Sequence, residues 1–337
     1  MITTRVLQVD RDQPDVQAIA EAAAILRSGG LVAFATETVY GLGADATNPR
    51  AVARIFEAKG RPATNPLIVH VPTKEAAHAC AADWPARATL LAAAFWPGPL
   101  TLVLPRSRLI PDLVTAGQAT VGVRVPVPDV ARWLILEAGC PIAAPSANRS
   151  NGISPTTADH VREDLDGRVD LILDSGPTTV GIESTVLDLS AGTPRVLRPG
   201  RVTPEAISHV LGEPVEAADC AGTDPAAPAR SPGMMSVHYA PKTPAYRLDR
   251  DRLEPWTHGG RVATIAFGDD AGPNFPHRLR WVTDPEQAER SFYADLHDLD
   301  ADGLDSILVI PPPDEPRWRA IRDRIWRATR PWPPGSK

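Results

Sequence analysis

Eight short apolar runs limit what this chain can become: LVAFAT, PLIVHV, LTLVLP, VGVRVP, PIAAPS, DLILDSG, STVLDL and RVLRPG. Each is long enough for one strand and too short for a helix. Between several of them lie patterns of helical period with their own start and stop signals. In DQPDVQAIAEAAAILRSGG, Val16, Ile19, Ala23 and Leu26 make an apolar stripe. Asp12 stands as N-cap with Pro14 in the first turn, and Gly29 sits where the helix should stop. TNPRAVARIFEAKG repeats the scheme, with Asn48 as cap, Pro49 at the first helical position, Val52, Ile55 and Phe56 inside, and Gly60 as the stop. VPDVARWLILEAGC, TTADHVREDL and VTPEAISHVLG, the last capped by Thr203, continue the series. Strands and helices mixed in this way predict an α/β fold with helices covering a sheet. Some connections are short enough for hairpins, so the sheet is expected to be mixed rather than parallel throughout.

The pattern changes after Gly212. EPVEAADCAGTDPAAPARSPG has no apolar period and reads as a linker. RVATIAFGDD and SILVIPPP then look like strands, while PEQAERSFYADLHDLDADG and PRWRAIRDRIWRAT look like helices, the makings of a small doubly wound unit. The expected division is a first domain over 1–212, a linker or lid over 213–245, and a smaller α/β domain over 246–337. The 35 Lys and Arg against 41 Asp and Glu leave a net charge of -6, with no long basic tract, which argues against strong nucleic-acid affinity. The three cysteines, Cys80, Cys140 and Cys220, lack any metal or redox spacing and suit a reducing compartment. MITTRVLQVD has no apolar leader core, and no segment approaches a membrane span, so the cytoplasm is the expected location.

Polar side chains recur where the apolar runs end. LVAFA runs into TETVYGLG, which carries Thr36, Glu37, Thr38 and Tyr40. Lys59 and Arg61 sit at a helix exit, in a loop stiffened by Pro62 and Pro66 that also holds Thr64 and Asn65. As helix-end cations they would favour the macrodipole; as ligands, Arg61 could grip a phosphate or carboxylate in two-pronged fashion. His70 lies in PLIVHV, and Thr120 and Arg124 lie in TVGVRVP, where a buried arginine demands an anionic partner. Ser146, Asn148 and Ser154 follow PIAAP, Glu183, Ser184 and Thr185 belong to GIESTVLDL, and Arg198 belongs to RVLRPG. One site assembled from several strand ends accounts for this recurrence. Neither a G-x-x-x-x-G-K-[ST] loop nor a G-x-G-x-x-G turn is present, so a nucleotide would need another scaffold. The stretch SPGMMSVHYAPKTP breaks a featureless linker with specific side chains, as a lid would.

TETVYGLG, KGRPATNPLIVH, WPGPLTLVL, TVGVRVP, PIAAPSANRSNGISPT, GIESTVLDL and VLRPG occur in the order of the YrdC-like domain, and SPGMMSVHYAP with the trailing unit is similar to the longer, two-domain form of that family. The resemblance covers nearly the whole chain. It implies a twisted mixed sheet with a concave site, followed by a Rossmann-like α/β domain. The implied activity is nucleotidyl transfer: L-threonine, bicarbonate and ATP, with Mg²⁺, give threonylcarbamoyl-adenylate and pyrophosphate, and a separate transferase complex carries the group to tRNA. By the same resemblance Thr38, His70, Arg124, Ala144 and Ser184 would meet threonine. Lys59, Arg61, Asn65, Thr120, Ser146, Asn148, Ser154, Arg198, Tyr239 and His238 would hold ATP, with Lys59 and Arg61 catalytic. FATET stands where FPTET is commoner, and Met235 and Ser236 stand where basic residues are frequent. Two alternatives are a double-stranded RNA-binding module without catalysis, and a carbamoyl-adenylate former like the hydrogenase maturation proteins, whose acylphosphatase domain and zinc-finger cysteines this chain lacks.

Overall fold

The computed structural model describes residues 3–217, 238–248, 260–269 and 278–332. Most of the linker, including Met235 and Ser236, lies outside the described residues. Ten strands form one mixed sheet: β1 (Arg5–Gln8), β2 (Val32–Ala35), β3 (Tyr40–Asp45), β4 (Ile68–His70), β5 (Leu100–Pro105), β6 (Thr120–Arg124), β7 (Ile142–Ala143), β8 (Leu171–Asp174), β9 (Thr185–Asp188) and β10 (Arg195–Arg198). Their order is β1-β8-β2-β3-β7-β4-β6-β5-β9-β10. β1, β8 and β2 run parallel, as do β4 with β6 and β5 with β9, while β2–β3, β5–β6 and β9–β10 are antiparallel. The second sheet takes β11 (Ala245–Arg247), β12 (Val262–Phe267), β13 (Arg278–Val282), β14 (Ser306–Ile310) and β15 (Arg330–Pro331) in the order β13-β12-β14-β11-β15. All its described pairings are parallel.

Helix caps follow the side chains, with one correction. The first helix, Val16–Arg27, is capped by Asp15, whose Oδ1 accepts from the backbone of Gln17 at 2.7 Å and Ala18 at 3.0 Å. Asp12 does not cap it. Asp12 and Gln13 donate their own N–H groups to Asp10 Oδ1, closing a separate turn, so Pro14 precedes the helix instead of opening it. Helix Pro49–Lys59 keeps Asn48 as its cap and ends at Gly60 with φ 61°. Helix Pro204–Leu211 keeps Thr203.

TETVYGLG is a hairpin. Thr36–Val39 turn the chain, and the glycines lie inside β3. A Cβ at Gly43 would come within 2.8 Å of the Phe34 ring, so this glycine serves strand packing rather than ligand approach. Gly41 does border a cavity, and a Cβ there would meet that of Ala144 at 3.2 Å. The loop after β7 docks on β3 through Leu42 N to Pro145 O and Ala147 N to Tyr40 O, each 2.8 Å, which brings Ser146 beside the hairpin.

The two sheets share a hydrophobic cluster. Val39, Ile153, Val180 and Ile182 of the first pack with Tyr239 and with Ile265, Phe292, Tyr293 and Ile321 of the second. Helix Pro285–Ala301 lies so close that a Cβ on Gly181, which has φ 88°, would fall 2.5 Å from Glu289 O.

Candidate active site

An open pocket, about 540 Å³ counting the solvent at its mouth, lies where β3, β4, β6, β10 and the loops after β7 and before β9 converge. Ten residues expected from the sequence line it: Thr38, Arg61, His70, Arg124, Ala144, Ser146, Ser184, Arg198, His238 and Tyr239. Thr36, Val39, Gly41, Ile68, Pro145 and Glu183 complete the lining.

One end is built around Arg124. Its Nη1 donates to Thr38 Oγ1 at 2.9 Å and its Nε to Gly98 O at 3.2 Å. Its Nη2 lies 2.6 Å from Glu37 Oε1 as an ion pair, and the other Glu37 oxygen accepts from Val127 N at 3.1 Å. This is the anionic partner a strand arginine requires. Thr38 Oγ1 also lies 2.7 Å from Thr36 Oγ1, so the threonines are fixed in orientation. Ser184 Oγ is held 2.8 Å from Thr101 Oγ1 and accepts from Arg198 Nη2 at 3.2 Å.

Arg61 reaches in from the other side. Its Nε and Nη2 donate to the carbonyls of Asn65 and Pro66 at 3.2 and 2.8 Å, which locks the guanidinium on its own loop while Nη1 takes no partner among the described residues. Burial, with Arg198 nearby, lowers its pKa to about 10 despite an opposing effect of Tyr239, so it stays charged. Lys59 does not line the cavity. Its buried ammonium donates to the carbonyls of Ser146, at 2.6 Å, and Asn148. Burial and then the Arg61 charge hold its pKa well below the usual lysine value. Asn148 accepts from Ser146 Oγ at 2.6 Å and donates to the Arg149 and Gly152 carbonyls, so Lys59 and Asn148 shape the Ser146 loop from behind.

Three more expected residues stand outside the lining. Asn65 contributes the carbonyl that orients Arg61. Ser154 donates to Glu183 Oε1 at 2.6 Å. Thr120 lines an adjoining cleft of about 300 Å³ with Pro66, Thr101, Gly122 and Val186, which meets the main cavity at Ile68.

Glu183, one of the polar residues at a strand end, has a role that only the structure reveals. It is buried in the cavity wall with Tyr293 OH at 2.9 Å and Arg324 Nε at 2.8 Å on one oxygen. Burial would raise its pKa, but the charges of Arg324 and Arg198 and the Ser154 bond outweigh that and lower it to about 2. Tyr293 and Arg324 escape a motif reading because they come from the second sheet's helices.

The buried polar atoms His70 Nδ1, His238 Nδ1 and Tyr239 OH have no protein partner among the described residues. Burial first, then Arg124 for His70 and Arg61 for His238, lowers both histidines to about 3, so both are neutral at pH 7. An unmet buried polar group costs about 1–3 kcal/mol, and three such groups around one cavity beside Arg61, Arg124 and Arg198 suit a polar ligand with negative charge.

The Sua5/YciO/YrdC family, described as "Telomere recombination", matches residues 24–200, and the family described as "Threonylcarbamoyl-AMP synthase, C-terminal domain" matches residues 202–329. The threonylcarbamoyl-AMP synthases of Pyrococcus abyssi and Bacillus subtilis are 40% and 41% identical to this chain, covering 95% and 92% of it and 96% and 92% of their own lengths. That of Thiobacillus denitrificans is 33% identical over 52% of this chain and 92% of its own length. The crystal structure of P. abyssi Sua5 complexed with L-threonine superposes with a TM-score of 0.87 at 38% identity, covering 96% of this chain and 98% of that one.

Proposed function

This chain belongs to the threonylcarbamoyl-AMP synthase family, and from that premise we propose that its cavity seats L-threonine beside the α-phosphate of ATP. The reaction forms threonylcarbamoyl-AMP and pyrophosphate from L-threonine, bicarbonate and ATP, for tRNA threonylcarbamoyladenosine modification. In this reading the domains are 1–212, catalytic, 213–245, a lid that includes His238 and Tyr239, and 246–337. The observation that carries the site assignment is the convergence of three guanidinium groups and three unmet polar atoms on one hollow.

The amino acid occupies the end walled by Thr38, His70, Arg124, Ala144 and Ser184. Arg124, already balanced by Glu37, offers its carboxylate a fixed donor edge, and Ala144 leaves room for the methyl group. The triphosphate runs toward Arg61, Ser146 and Arg198, with Asn65, Asn148 and Ser154 holding those groups in place. Thr120 and its cleft take the base end of the nucleotide, and His238 and Tyr239 close over it. The threonine amine takes up carbon dioxide from bicarbonate as a carbamate; a carbamate oxygen attacks the α-phosphorus and pyrophosphate leaves. No protein nucleophile is needed, so positioning and charge neutralisation carry the rate. Arg61 supplies charge directly. Lys59 acts on the same step by clamping the Ser146 carbonyl and adding positive potential behind it.

Mg²⁺ enters with the triphosphate as part of that substrate. The two carboxylates nearest the cavity, Glu37 and Glu183, are committed to arginines, which leaves the phosphate oxygens as the ion's ligands in this reading. No described helix is long and apolar enough to cross a membrane. We place the reaction in the cytoplasm, upstream of a transferase complex that delivers the group to tRNA, with little direct RNA binding by this acidic chain.

The test is product analysis. Incubation with MgATP, threonine and bicarbonate should yield pyrophosphate and a threonylcarbamoyl-adenylate by mass spectrometry, and omitting threonine or bicarbonate should abolish both. Pyrophosphate release that ignores either substrate would overturn the assignment.

A further inference from the structure

The cavity holds a carboxylate where it is proposed to hold a triphosphate, and the chain neutralises that carboxylate from the other sheet. Glu183 is 6% exposed and lines the same wall as Arg61, Ser146 and Arg198. Its Oε1 accepts from Ser154; its Oε2 accepts from Tyr293 and Arg324; its backbone carbonyl accepts from Arg324 Nη2 at 3.4 Å. Arg324 is itself fully buried on helix Arg319–Ala328 and is gripped from behind by Asp323, 2.5 Å away. Its guanidinium carbon lies 5.4 Å from the centre of the Tyr239 ring. The same helix fixes the end of the linker, because His238 N donates to Arg327 O at 3.1 Å.

We propose that Arg324 and Tyr293 are positioning residues for the adenylate-forming step: they neutralise and orient Glu183 so that its charge does not repel the incoming triphosphate. The second unit thereby has a part in the reaction without touching either substrate. The arrangement is prepared by packing. Helix Pro285–Ala301, which carries Tyr293, sits against Gly181, two residues before Glu183, and Arg290 Nε donates to Thr179 O at 3.3 Å. His297 Nε2 meets the Ser154 carbonyl at 3.3 Å, so one partner of each Glu183 oxygen, Ser154 or Tyr293, is tied to the same helix. The charged and titratable groups around Glu183 are Arg198, Arg324, Asp323, Tyr239, Tyr293 and His238, and beyond them Glu289 on helix Pro285–Ala301, whose pKa burial raises to about 7 against the charges of Arg201 and Arg324, so the Glu183→Gln background is what assigns a pH effect to Glu183. Remove Arg324, and burial becomes the dominant influence on a carboxylate that Arg198 only partly compensates.

This inference rests on the cavity being the ATP site, so the wild-type dependence on threonine and bicarbonate is established first; failure there sinks both, whereas an intact wild-type reaction with unaffected variants sinks this inference alone. Arg324→Met, Glu183→Gln and the double variant are then compared by steady-state kinetics. Arg324→Met should raise the KM for ATP about tenfold at about pH 8, and the defect should shrink toward about pH 6, where an uncompensated Glu183 takes up a proton. In the double variant the loss should fall to within about threefold of Glu183→Gln alone, since the amide carries no charge to neutralise. An unchanged KM in Arg324→Met, or losses that simply multiply in the double variant, would overturn the proposal. Should Arg324→Met fail to fold, Tyr293→Phe removes one hydrogen bond to the same oxygen. A rise of about two- to fivefold in ATP KM that vanishes in the Glu183→Gln background is then expected, and no rise would contradict it.

Discussion

Two buried carboxylates stand at the cavity, and each is met by an arginine, but the two pairs are put together differently. Glu37 and Arg124 both belong to the ten-stranded sheet, at the tips of β2 and β6, and close as that sheet forms. Glu183 pairs with Arg324, 141 residues further along, on a helix of the second unit. The first pair is part of what makes the cavity exist. The second is part of what tunes it, and it depends on the docking of one unit on the other.

The largest expected effect breaks the inner pair. Arg124→Ala leaves Glu37 buried without a counter-charge, and breaking such a pair costs about 3–5 kcal/mol. Urea unfolding should show that loss along with abolished pyrophosphate release; wild-type stability would mean that the pair is solvated and not part of the frame. Next comes the interface itself. Gly181→Ala places a Cβ 2.5 Å from Glu289 O at φ 88°, so helix Pro285–Ala301 must shift. Activity should fall by roughly tenfold, with threonine binding in calorimetry weakened less than ATP binding, because Gly181 reaches the threonine end only through its N–H, which donates to Thr38 O at 3.1 Å. Equal loss of threonine binding would erase the distinction between the pairs. Lys59→Ala and Arg61→Ala should each reduce turnover at least about tenfold, a control that reports on the phosphate end alone.

The smallest effect sharpens the comparison through pH. Glu183 has a folded pKa of about 2, below its unfolded value, so its contribution is complete above about pH 4.3 and is lost as pH falls toward 2. His70, His238 and His297 are lowered to about 3; the unfolded chain binds their protons first, and their contribution is lost as pH falls from about 6.5 toward 3. Thermal unfolding across pH should therefore decline in two windows, and Glu183→Gln should remove only the lower one.

The first unit was largely legible in the sequence because its strands are apolar runs bounded by caps. The exceptions have physical causes. β1 is mostly exposed, with no apolar run to reveal it. β3 escapes an apolar-run reading because it carries Gly41 and Gly43, and only the Phe34 ring and Ala144 against them explain their place in a strand. The cap of the first helix moved from Asp12 to Asp15 because Asp10 satisfied the earlier turn. Arg124's need for an acid could be read from its apolar strand, but not that Glu37 would meet it. Glu183's partners were out of reach, since no local pattern couples GIEST to helices more than a hundred residues away.

A crystal structure of the full chain with L-threonine and a non-hydrolysable ATP analogue tests the shared cavity most directly. Threonine should lie against Thr38, Arg124 and Ser184, with the α-phosphate next to it, the phosphate chain toward Arg61 and Arg198, and Glu183 still bound to Arg324. Threonine and nucleotide in separate places, or a Glu183 released from Arg324 and turned onto the substrate, would contradict it.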